Sequence, residues 1–427
     1  MPRFSRVLKR FALVSVACLA IMLIAVPLAS AAKKVTITFW QAGGTPETSA
    51  LVRQLIDEFE AANPDIQVNF QAIPWAEDPH TKFQAAIVGG TIADVFTVGD
   101  PFEHVLAAAG ALEPLDAYIP QAVKNDFYPQ FIERCTYNGK LYALPWFGTV
   151  RAMFYRKDLL AAAGVPEPTT SWTWEEFLTY AKKLTRDLNG DGVIDQYGFG
   201  TSGRYVSQYQ PFVRQNGVDF VDEERNVATA NNPAVIEAMQ FYVDLIRTHK
   251  VTPPGITTIN LQEIQKMFAE GKVALFIDGE DTAATFSKEP ALAGKFGIGL
   301  LPHKKGHAAY AGADVLVMSK QSKNKEAAWK FIEFFLSPKW MAEYCKLSGF
   351  SPARKSLVGH EYFKDPIKQA FAKQLEVGGY FYFKHPKASS FSSAIRAEVQ
   401  EAMEGKKTVK QAMDDLQKKL EEILKQP

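Results

Sequence analysis

The sequence predicts an α/β protein made of two or three units, and three observations lead to that prediction. The chain has 427 residues, of which 47% are hydrophobic and 22% charged, as expected for a globular protein rather than a disordered or fibrous one. At roughly 100 to 200 residues per domain, this length suits two or three units. Strand and helix patterns alternate along the chain, which favours largely parallel sheets covered by helices.

The first thirty residues have the pattern of a secretory signal peptide. Basic residues at 3, 6, 9 and 10 precede an apolar run over 11–26, and the small residues Ala29, Ser30 and Ala31 follow it. We therefore expect a leader over 1–31, cleaved after Ala31, and a periplasmic protein. A lipid anchor is disfavoured because Cys18 has Ser15, not a leucine-like residue, three positions before it.

Charge and cysteine content narrow the function classes. Removing the leader leaves 44 Lys and Arg (48 minus 4) against 47 Asp and Glu, a net charge of −3. No strong basic field then remains for gripping nucleic acid, so no nucleic-acid partner is expected. Cys135 and Cys345 are the two cysteines beyond the leader. Exported proteins can form disulfides, but sequence cannot decide between a bridge and two buried thiols.

The first unit begins with a strand over 35–40, whose apolar residues recur with period two. A helix follows, with Thr48 or Ser49 as its cap and Asn63-Pro64 as its end. The unit continues with a strand over 66–73, a helix over 82–88 and a strand over 93–98.

A second set of elements starts with a strand over 150–156 and a helix over 173–187. Thr173 and Glu176 at the start of that helix have the spacing of a capping box. Further helices are predicted over 233–248, 261–270, 324–335, 389–405 and 408–424, and strands over 272–277, 296–300 and 314–318.

Five segments in this order resemble the extracellular solute-binding proteins of ABC importers, in the carbohydrate-binding group that includes maltose-binding protein. They are 37–40 (ITFW), 85–98 (AAIVGGTIADVFTV), 141–160 (LYALPWFGTVRAMFYRKDLL), 271–279 (GKVALFIDG) and 317–354, which ends in GFSPAR. Each segment alone is a weak signal, but together they span most of the chain after the leader.

The resemblance implies two lobes, each a mostly parallel sheet flanked by helices, joined by three hinge crossings near 147–150, 278–280 and 318–321. The N-terminal lobe would then comprise 32–148 plus 280–320, and the C-terminal lobe 149–279 plus 321–427. It also implies a monomeric receptor, not an enzyme, that binds a sugar or short oligosaccharide between its lobes and delivers it to a membrane permease.

Sugars offer hydroxyl groups for hydrogen bonds and apolar faces for stacking, so a sugar site needs aromatic rings beside polar side chains. The candidate ligand contacts are Trp40, Gln41, Asp100, Trp146, Phe147, Arg151, Glu280, Asp281, Tyr310, Gly312, Asp314 and Arg354. Trp40 could instead be core, Asp100 a helix cap, and Glu280 and Asp281 acids at a helix N-terminus. The two carboxylates after Gly279 depart from the family, which commonly has a tryptophan there.

The segment over 187–195 resembles the first nine residues of a calcium loop. Asp187, Asn189, Asp191 and Asp195 supply side-chain oxygens, and Val193 would add its carbonyl. The twelfth position is Gly198 rather than the usual glutamate, so a turn with solvated acids is the alternative. We expect that the protein requires no cofactor. A structural calcium ion is the group that this loop could hold.

Two other functions stay open at this point. The same fold could bind glycerol phosphate or another small solute, for which Arg151 and Arg354 are the available cations. A secreted carbohydrate-active enzyme would need two cleft carboxylates as acid and base, with Glu280 or Asp281 facing Asp100.

Overall fold

The computed structural model describes residues 34–74, 77–99, 101–168 and 172–426. The predicted leader and Asp100 therefore lie outside the described residues. Within the described ranges, no helix is long and apolar enough to cross a membrane.

The order of elements alternates strands and helices in the first half and is richer in helices towards the end. The α-helices are α1 (Pro46–Ala62), α2 (Pro79–Gly89), α3 (Phe102–Ala108), α4 (Gln121–Asp126), α5 (Pro129–Arg134), α6 (Lys157–Ala162), α7 (Trp174–Leu184), α8 (Gln210–Gln215), α9 (Pro233–Arg247), α10 (Leu261–Ala269), α11 (Glu280–Phe286), α12 (Lys325–Phe335), α13 (Pro338–Ser348), α14 (Pro366–Gly378), α15 (Ala388–Glu404) and α16 (Val409–Lys425). The strands are β1 (Val35–Ala42), β2 (Ile66–Ile73), β3 (Val95–Gly99), β4 (Thr136–Tyr137), β5 (Lys140–Leu141), β6 (Ala143–Val150), β7 (Ala152–Arg156), β8 (Tyr197–Gly200), β9 (Val221–Asp222), β10 (Val227–Ala228), β11 (Val273–Asp278), β12 (Phe296–Gly299), β13 (Ala309–Met318), β14 (Ser351–Pro352) and β15 (Gly379–Tyr380).

The larger of the two main sheets has the strand order β14-β6-β13-β3-β1-β2, and β15 also pairs with β13. Strand β1 pairs in parallel with β2 and with β3. Strand β13 is antiparallel to both β3 and β6, so β6 runs in the same direction as β1, β2 and β3. The carboxyl ends of these four strands therefore meet at one edge of the sheet, the usual place for a ligand in an α/β fold.

The smaller sheet has the order β12-β7-β11-β8. Strand β11 is parallel to β8, whereas β7 is antiparallel to both of its neighbours. Two sheets with helices packed on them confirm the predicted two-lobed α/β fold. The prediction that each sheet is mostly parallel is wrong for the small sheet, because β7 joins it antiparallel to both β11 and β12.

The first connection between the two sheets is a single residue. Strand β6 ends at Val150 and β7 begins at Ala152, so Arg151 alone joins the large sheet to the small one. This crossing at Arg151 lies next to the crossing predicted near 147–150. The predicted strand over 150–156 corresponds to β7, which directly follows β6.

The chain returns to the large sheet later than predicted. Strand β12 pairs with β7 of the small sheet, so the segment over 280–299 stays with that sheet after β11. The return lies between Gly299 and Ala309, the residues that end β12 and begin β13. The predicted crossing near 278–280 is therefore wrong, because β12 is hydrogen-bonded to β7 and this segment stays with the small sheet.

The helices after β13 also differ from the predicted division, which placed a crossing near 318–321 and the whole of 321–427 in the C-terminal lobe. The rings of Phe331 and Phe335 on α12 lie 5.1 and 5.3 Å from that of Phe39 in β1. Helix α13 packs against α1, and β14 pairs with β6. The segment over 325–352 therefore belongs with the large sheet, while α15 and α16 pack against α9 in the other lobe. The apolar stripe of α12 predicts burial but not which sheet covers it.

Helix caps and cysteines give three further outcomes. Thr45, not Thr48 or Ser49, caps α1, and its side chain accepts a hydrogen bond from the Thr48 amide. The capping box of Thr173 and Glu176 on α7 is confirmed. Cys135 and Cys345 are both buried and are not joined by a disulfide, which corresponds to the alternative of two buried thiols.

Candidate ligand-binding cleft

A cavity of about 750 Å³ lies where the carboxyl ends of the large sheet's strands face the small sheet. The large lobe supplies most of its wall. Its lining residues are Gly44, Thr45, Thr48, His80, Gly99, Phe147, Thr149, Arg151, Asp281, Tyr310, Gly312, Ala313, Asp314, Tyr344, Leu347, Ser348 and Phe350. Six of the predicted ligand contacts thus come together here: Phe147, Arg151, Asp281, Tyr310, Gly312 and Asp314.

One wall of the cavity is a layer of aromatic rings. Phe147 stacks on Phe350 with ring centroids 4.4 Å apart and an interplanar angle of 5°. It also stacks on Tyr344, with centroids 5.4 Å apart at 20°. Flat rings at the edge of a cavity are suited to the apolar faces of a pyranose. Tyr344 and Phe350 did not figure among the predicted contacts, although Phe350 lies inside the segment that carries the family resemblance.

Trp146 lies behind this wall and is only 1% exposed. Its ring centroid is 3.9 Å from that of Tyr344 and 4.8 Å from that of Phe335. A bulge in β6 explains this position, because Asp314 pairs with Phe147 but Val315 pairs with Pro145, so Trp146 is the extra residue. The predicted ligand contact is a core residue that supports the aromatic wall.

Arg151 lines the cavity, but an ion pair already neutralises its positive charge. Its guanidinium forms an ion pair with Asp278, the last residue of β11, whose side chain is 2% exposed. The Asp278 carboxylate also accepts hydrogen bonds from Gln265 Nε2 (2.8 Å), Thr282 Oγ1 (3.0 Å) and the Gly279 amide (2.8 Å). Burial acts to lower the pKa of Arg151, but Asp278 and then Asp281 outweigh it, so the pKa is raised.

The remaining polar lining is acidic and hydroxyl-rich. Asp281 and Asp314 add carboxylates, and Thr149 and Tyr310 add hydroxyl groups. Burial lowers the pKa of His80, so this imidazole is neutral at pH 7 and adds no positive charge. The cavity therefore offers acceptors and donors for hydroxyl groups. Among the described lining residues, Arg151 is the one cation, and it is paired with Asp278.

Trp40 and Gln41 lie beside the cavity rather than in its lining. Trp40 is half-buried and stacks on Phe83 of α2 with centroids 5.9 Å apart, which corresponds to the core alternative for this residue. Gln41 is fully buried, and in the described part of the chain its amide oxygen and nitrogen have no hydrogen-bond partner. A Cβ added to Gly44, whose φ is +94°, would lie 2.7 Å from Gln41 Nε2. Glycine is needed there for both conformation and space.

Two other predicted contacts, both described, lie outside the cavity lining. Glu280 is 1% exposed, and the next residue, Asp281, lines the cavity. Arg354 is also buried, where it pairs with Asp126 at 3.0 Å and donates to the Leu336 carbonyl at 2.8 Å. This pairing holds the turn after α13 to the large lobe. Asp100 is outside the described residues, and Gly99 before it lines the cavity.

The loop over 187–195 is held by its own side chains. The two oxygens of Asp187 accept from the amides of Gly190 and Gly192 at 2.7 and 2.8 Å, and Asp195 accepts from Leu188 at 2.7 Å. Among the described residues, no group of three or more His, Cys, Asp or Glu side chains is arranged to hold a metal ion. Metal binding by this loop stays a prediction.

Comparisons with known proteins agree with this architecture. A sequence model of the family described as bacterial extracellular solute-binding protein matches residues 42–342. A Brucella abortus protein, named only as a binding protein, is 30% identical over 79% of this chain and 80% of its own length. The maltotriose-binding protein of Pyrococcus abyssi is 25% identical over 89% of this chain and 80% of its own. Among solved structures, the sugar-binding protein MalE of Xanthomonas citri has a TM-score of 0.82 at 26% identity, covering 91% of this chain and 97% of that one.

Proposed function

Because the chain belongs to the family of bacterial extracellular solute-binding proteins, we propose that it is the sugar receptor of an ABC importer. It binds a sugar or short oligosaccharide in the cleft between the lobes and delivers it to a membrane permease. The maltotriose-binding relative and the sugar-binding MalE structure support a saccharide as the ligand class.

The observation that carries this proposal is that aromatic rings and carboxylates line the same cavity. Phe350, stacked on the 5% exposed Phe147, offers an apolar ring surface, and Asp281 and Asp314 offer hydrogen-bond acceptors. Carboxylates form strong, directional hydrogen bonds with hydroxyl groups, so the combination suits a polyhydroxylated ring. A neutral saccharide also places no charge beside these acids.

The same charges argue against glycerol phosphate. Phosphate sites in proteins gather several cationic or backbone N–H donors around the anion. In the described lining, Arg151 is the one arginine or lysine, and Asp278 already neutralises it. Arg354, the other cation proposed from sequence, is paired with Asp126 outside the lining.

Binding would work through closure of the lobes rather than through chemistry. A solute that touches both lobes only in the closed form favours that form by its differential affinity. Asp281 follows β11 of the small sheet, whereas Phe147 and Asp314 belong to the large sheet, so both lobes border the cavity.

The receptor is a monomer and is exported to the periplasm, with its leader cleaved after Ala31 and without a lipid anchor.

The proposed ligand class is tested by tryptophan fluorescence of the chain from residue 32, titrated with maltose, maltotriose, mannitol and glycerol 3-phosphate. We expect a saturable change with a neutral saccharide and none with the phosphate. Phe350→Ala should weaken binding about tenfold, since a ring contact contributes about 0.5–1.5 kcal/mol beyond burial. Tyr118→Ala, on a half-buried ring beside Trp329 and outside the cavity lining, is the matched control. A response to the phosphate alone would reject the saccharide.

We also propose that the loop over 187–195 holds a structural calcium ion, as the spacing of its oxygen ligands predicts. An ion that binds only the folded state stabilises it by about 2.7 kcal/mol at a hundred times its Kd. Millimolar Ca²⁺ should then raise the Tm by about 2 °C or more, and a chelator should reverse the rise. Asp187→Asn should remove the response. An unchanged Tm up to 5 mM Ca²⁺ would show that the loop is a solvated turn.

A further inference from the structure

A buried cluster of ionisable side chains lies beneath the ligand cavity, at the contact between the lobes. Glu280 is at the start of α11 in the small-sheet lobe and is 1% exposed. Ser351 of β14, in the large-sheet lobe, donates from Oγ to Glu280 Oε1 at 3.0 Å. The other carboxylate oxygen, Oε2, is buried and has no hydrogen-bond partner within the described ranges. We refer to Glu280, Ser351 and Lys368 as the interlobe cluster.

Lys368 completes this cluster from α14. Its ammonium donates to the carbonyl of Gly349, and only 7% of the residue is exposed. Gly349 itself presses on α11, because a Cβ added there would lie 2.5 Å from the Cβ of Ala284. The segment over 349–351 is thus fastened to α11 on one side and to α14 on the other.

The interlobe cluster is directly connected to the cavity through the chain. Asp281, which follows Glu280, lines the cavity from the small-sheet lobe. Ser348 and Phe350, on either side of Gly349, line it from the large-sheet lobe. The cluster therefore fastens two opposite parts of the ligand-binding wall without touching the cavity itself.

The groups that face Glu280 come from every element packed around it. They are Lys368 on α14, Cys345 on α13, Tyr362 in the short helix Glu361–Lys364, Ser351 on β14, and Asp281 on the same helix. Burial raises the pKa of Glu280 to about 7, although Lys368 opposes the shift. Burial also raises the pKa of the Cys345 thiol and raises that of Tyr362 to about 12, so both stay protonated near neutral pH. Lys368, whose pKa burial lowers, is the one cation among these groups.

We propose that Glu280 is a positioning residue: it holds the segment over 348–351 against α11, and its protonation controls lobe closure and hence ligand affinity. The effect on affinity rests on the proposed receptor function, whereas the effect on closure does not. Nothing in this role requires Glu280 to contact the sugar.

The direction of the pH dependence follows from linkage. When the lobes separate at this contact, Glu280 becomes hydrated and its pKa returns towards that of a free glutamate, about 4.3. Because the pKa is higher in the joined state, protonation favours the joined state, and that preference is lost as the pH rises through about 7. Between pH 5.5 and 8 this difference would shift the equilibrium by at least about tenfold towards separated lobes.

The closing experiment measures the distance between the lobes directly. Spin labels on Lys330→Cys in α12 and Gln262→Cys in α10 report the separation by pulsed electron resonance, since both positions are exposed and the native cysteines are buried. We expect a short distance at pH 5.5 and a growing population of longer distances at pH 8. Glu280→Gln, which keeps the acceptor for Ser351 and cannot ionise, should give the short distance at both pH values.

Maltotriose serves as the binding probe in the same samples. Its Kd should rise about tenfold from pH 5.5 to pH 8 in the natural sequence and stay constant in Glu280→Gln. Glu289→Gln, at an exposed acid just after α11, should behave like the natural sequence. The proposal is overturned if the distances do not respond to pH, or if Glu280→Gln responds as the natural sequence does. Absence of maltotriose binding with the expected distances would count against that ligand alone.

Discussion

Replacing Arg151 by alanine is expected to lower the free energy of unfolding by about 3–5 kcal/mol, the usual cost of removing one partner from a buried ion pair. The side chain of Asp278 is 2% exposed and would be left without its cation. Burial already raises the pKa of Asp278, so the loss should be greatest at pH 8 and smaller at pH 5, where the carboxyl can take up a proton. Chemical denaturation at both pH values measures it.

Two further variants separate the ion pair from general damage. Arg151→Ala combined with Asp278→Asn should recover much of the lost stability, because no buried charge then remains. Arg225→Ala is the matched control: Arg225 pairs with Asp222, but its side chain is 73% exposed, so less than about 1 kcal/mol is expected. A loss of similar size in both arginine variants would contradict a special role for the Arg151 pair.

Trp146→Ala is the second large expected effect, again about 3–5 kcal/mol, from the cavity that the lost ring leaves in the core. The ring is 1% exposed and packs on Phe147, Phe335 and Tyr344. Because Phe147 and Tyr344 line the ligand cavity, saccharide affinity should fall too. Thermal unfolding and the fluorescence titration measure the two effects.

Trp40→Ala is the comparison for this variant, since Trp40 is half-buried on Phe83 and does not line the cavity. We expect it to cost less stability and to leave affinity nearly unchanged. Trp146→Phe should retain most of the stability, because an aromatic ring still supports Tyr344. Full stability of Trp146→Ala with reduced affinity would instead identify Trp146 as a ligand contact.

Local sequence patterns predict the helices and strands of this fold well, but they do not predict which distant strands pair with each other. The alternation in β1 and the capping box at Thr173 are local signals, and both elements form where expected. The resemblance to binding proteins gave the two lobes. The sequence does not predict which strand pairs with β12, because a short apolar strand can complete either sheet. Only its hydrogen bonds to β7 show that it belongs to the small sheet.

The site shows the same limit at the level of single side chains. Consecutive residues of a regular strand point to opposite faces, so Trp146 and Phe147 could not both be assigned without knowing the register. The bulge at Trp146 breaks the alternation and brings both rings onto Tyr344. For Arg151, sequence indicates a cation near the cleft but not that Asp278, 127 positions away, neutralises it.

The place of β13 between β3 and β6 has a consequence for how the protein acquires its structure. Its ten residues, Ala309–Met318, form the middle of a sheet whose other long strands all precede Arg151 in sequence. As the chain emerges in order, β6 has no neighbour in the sheet until β13 arrives, whereas the small sheet is complete by Gly299. Non-local strand pairing of this kind is slow to form. The small sheet can therefore assemble around β7 first. The large sheet can be completed only after the synthesis of β13, which begins more than 150 residues after the end of β6.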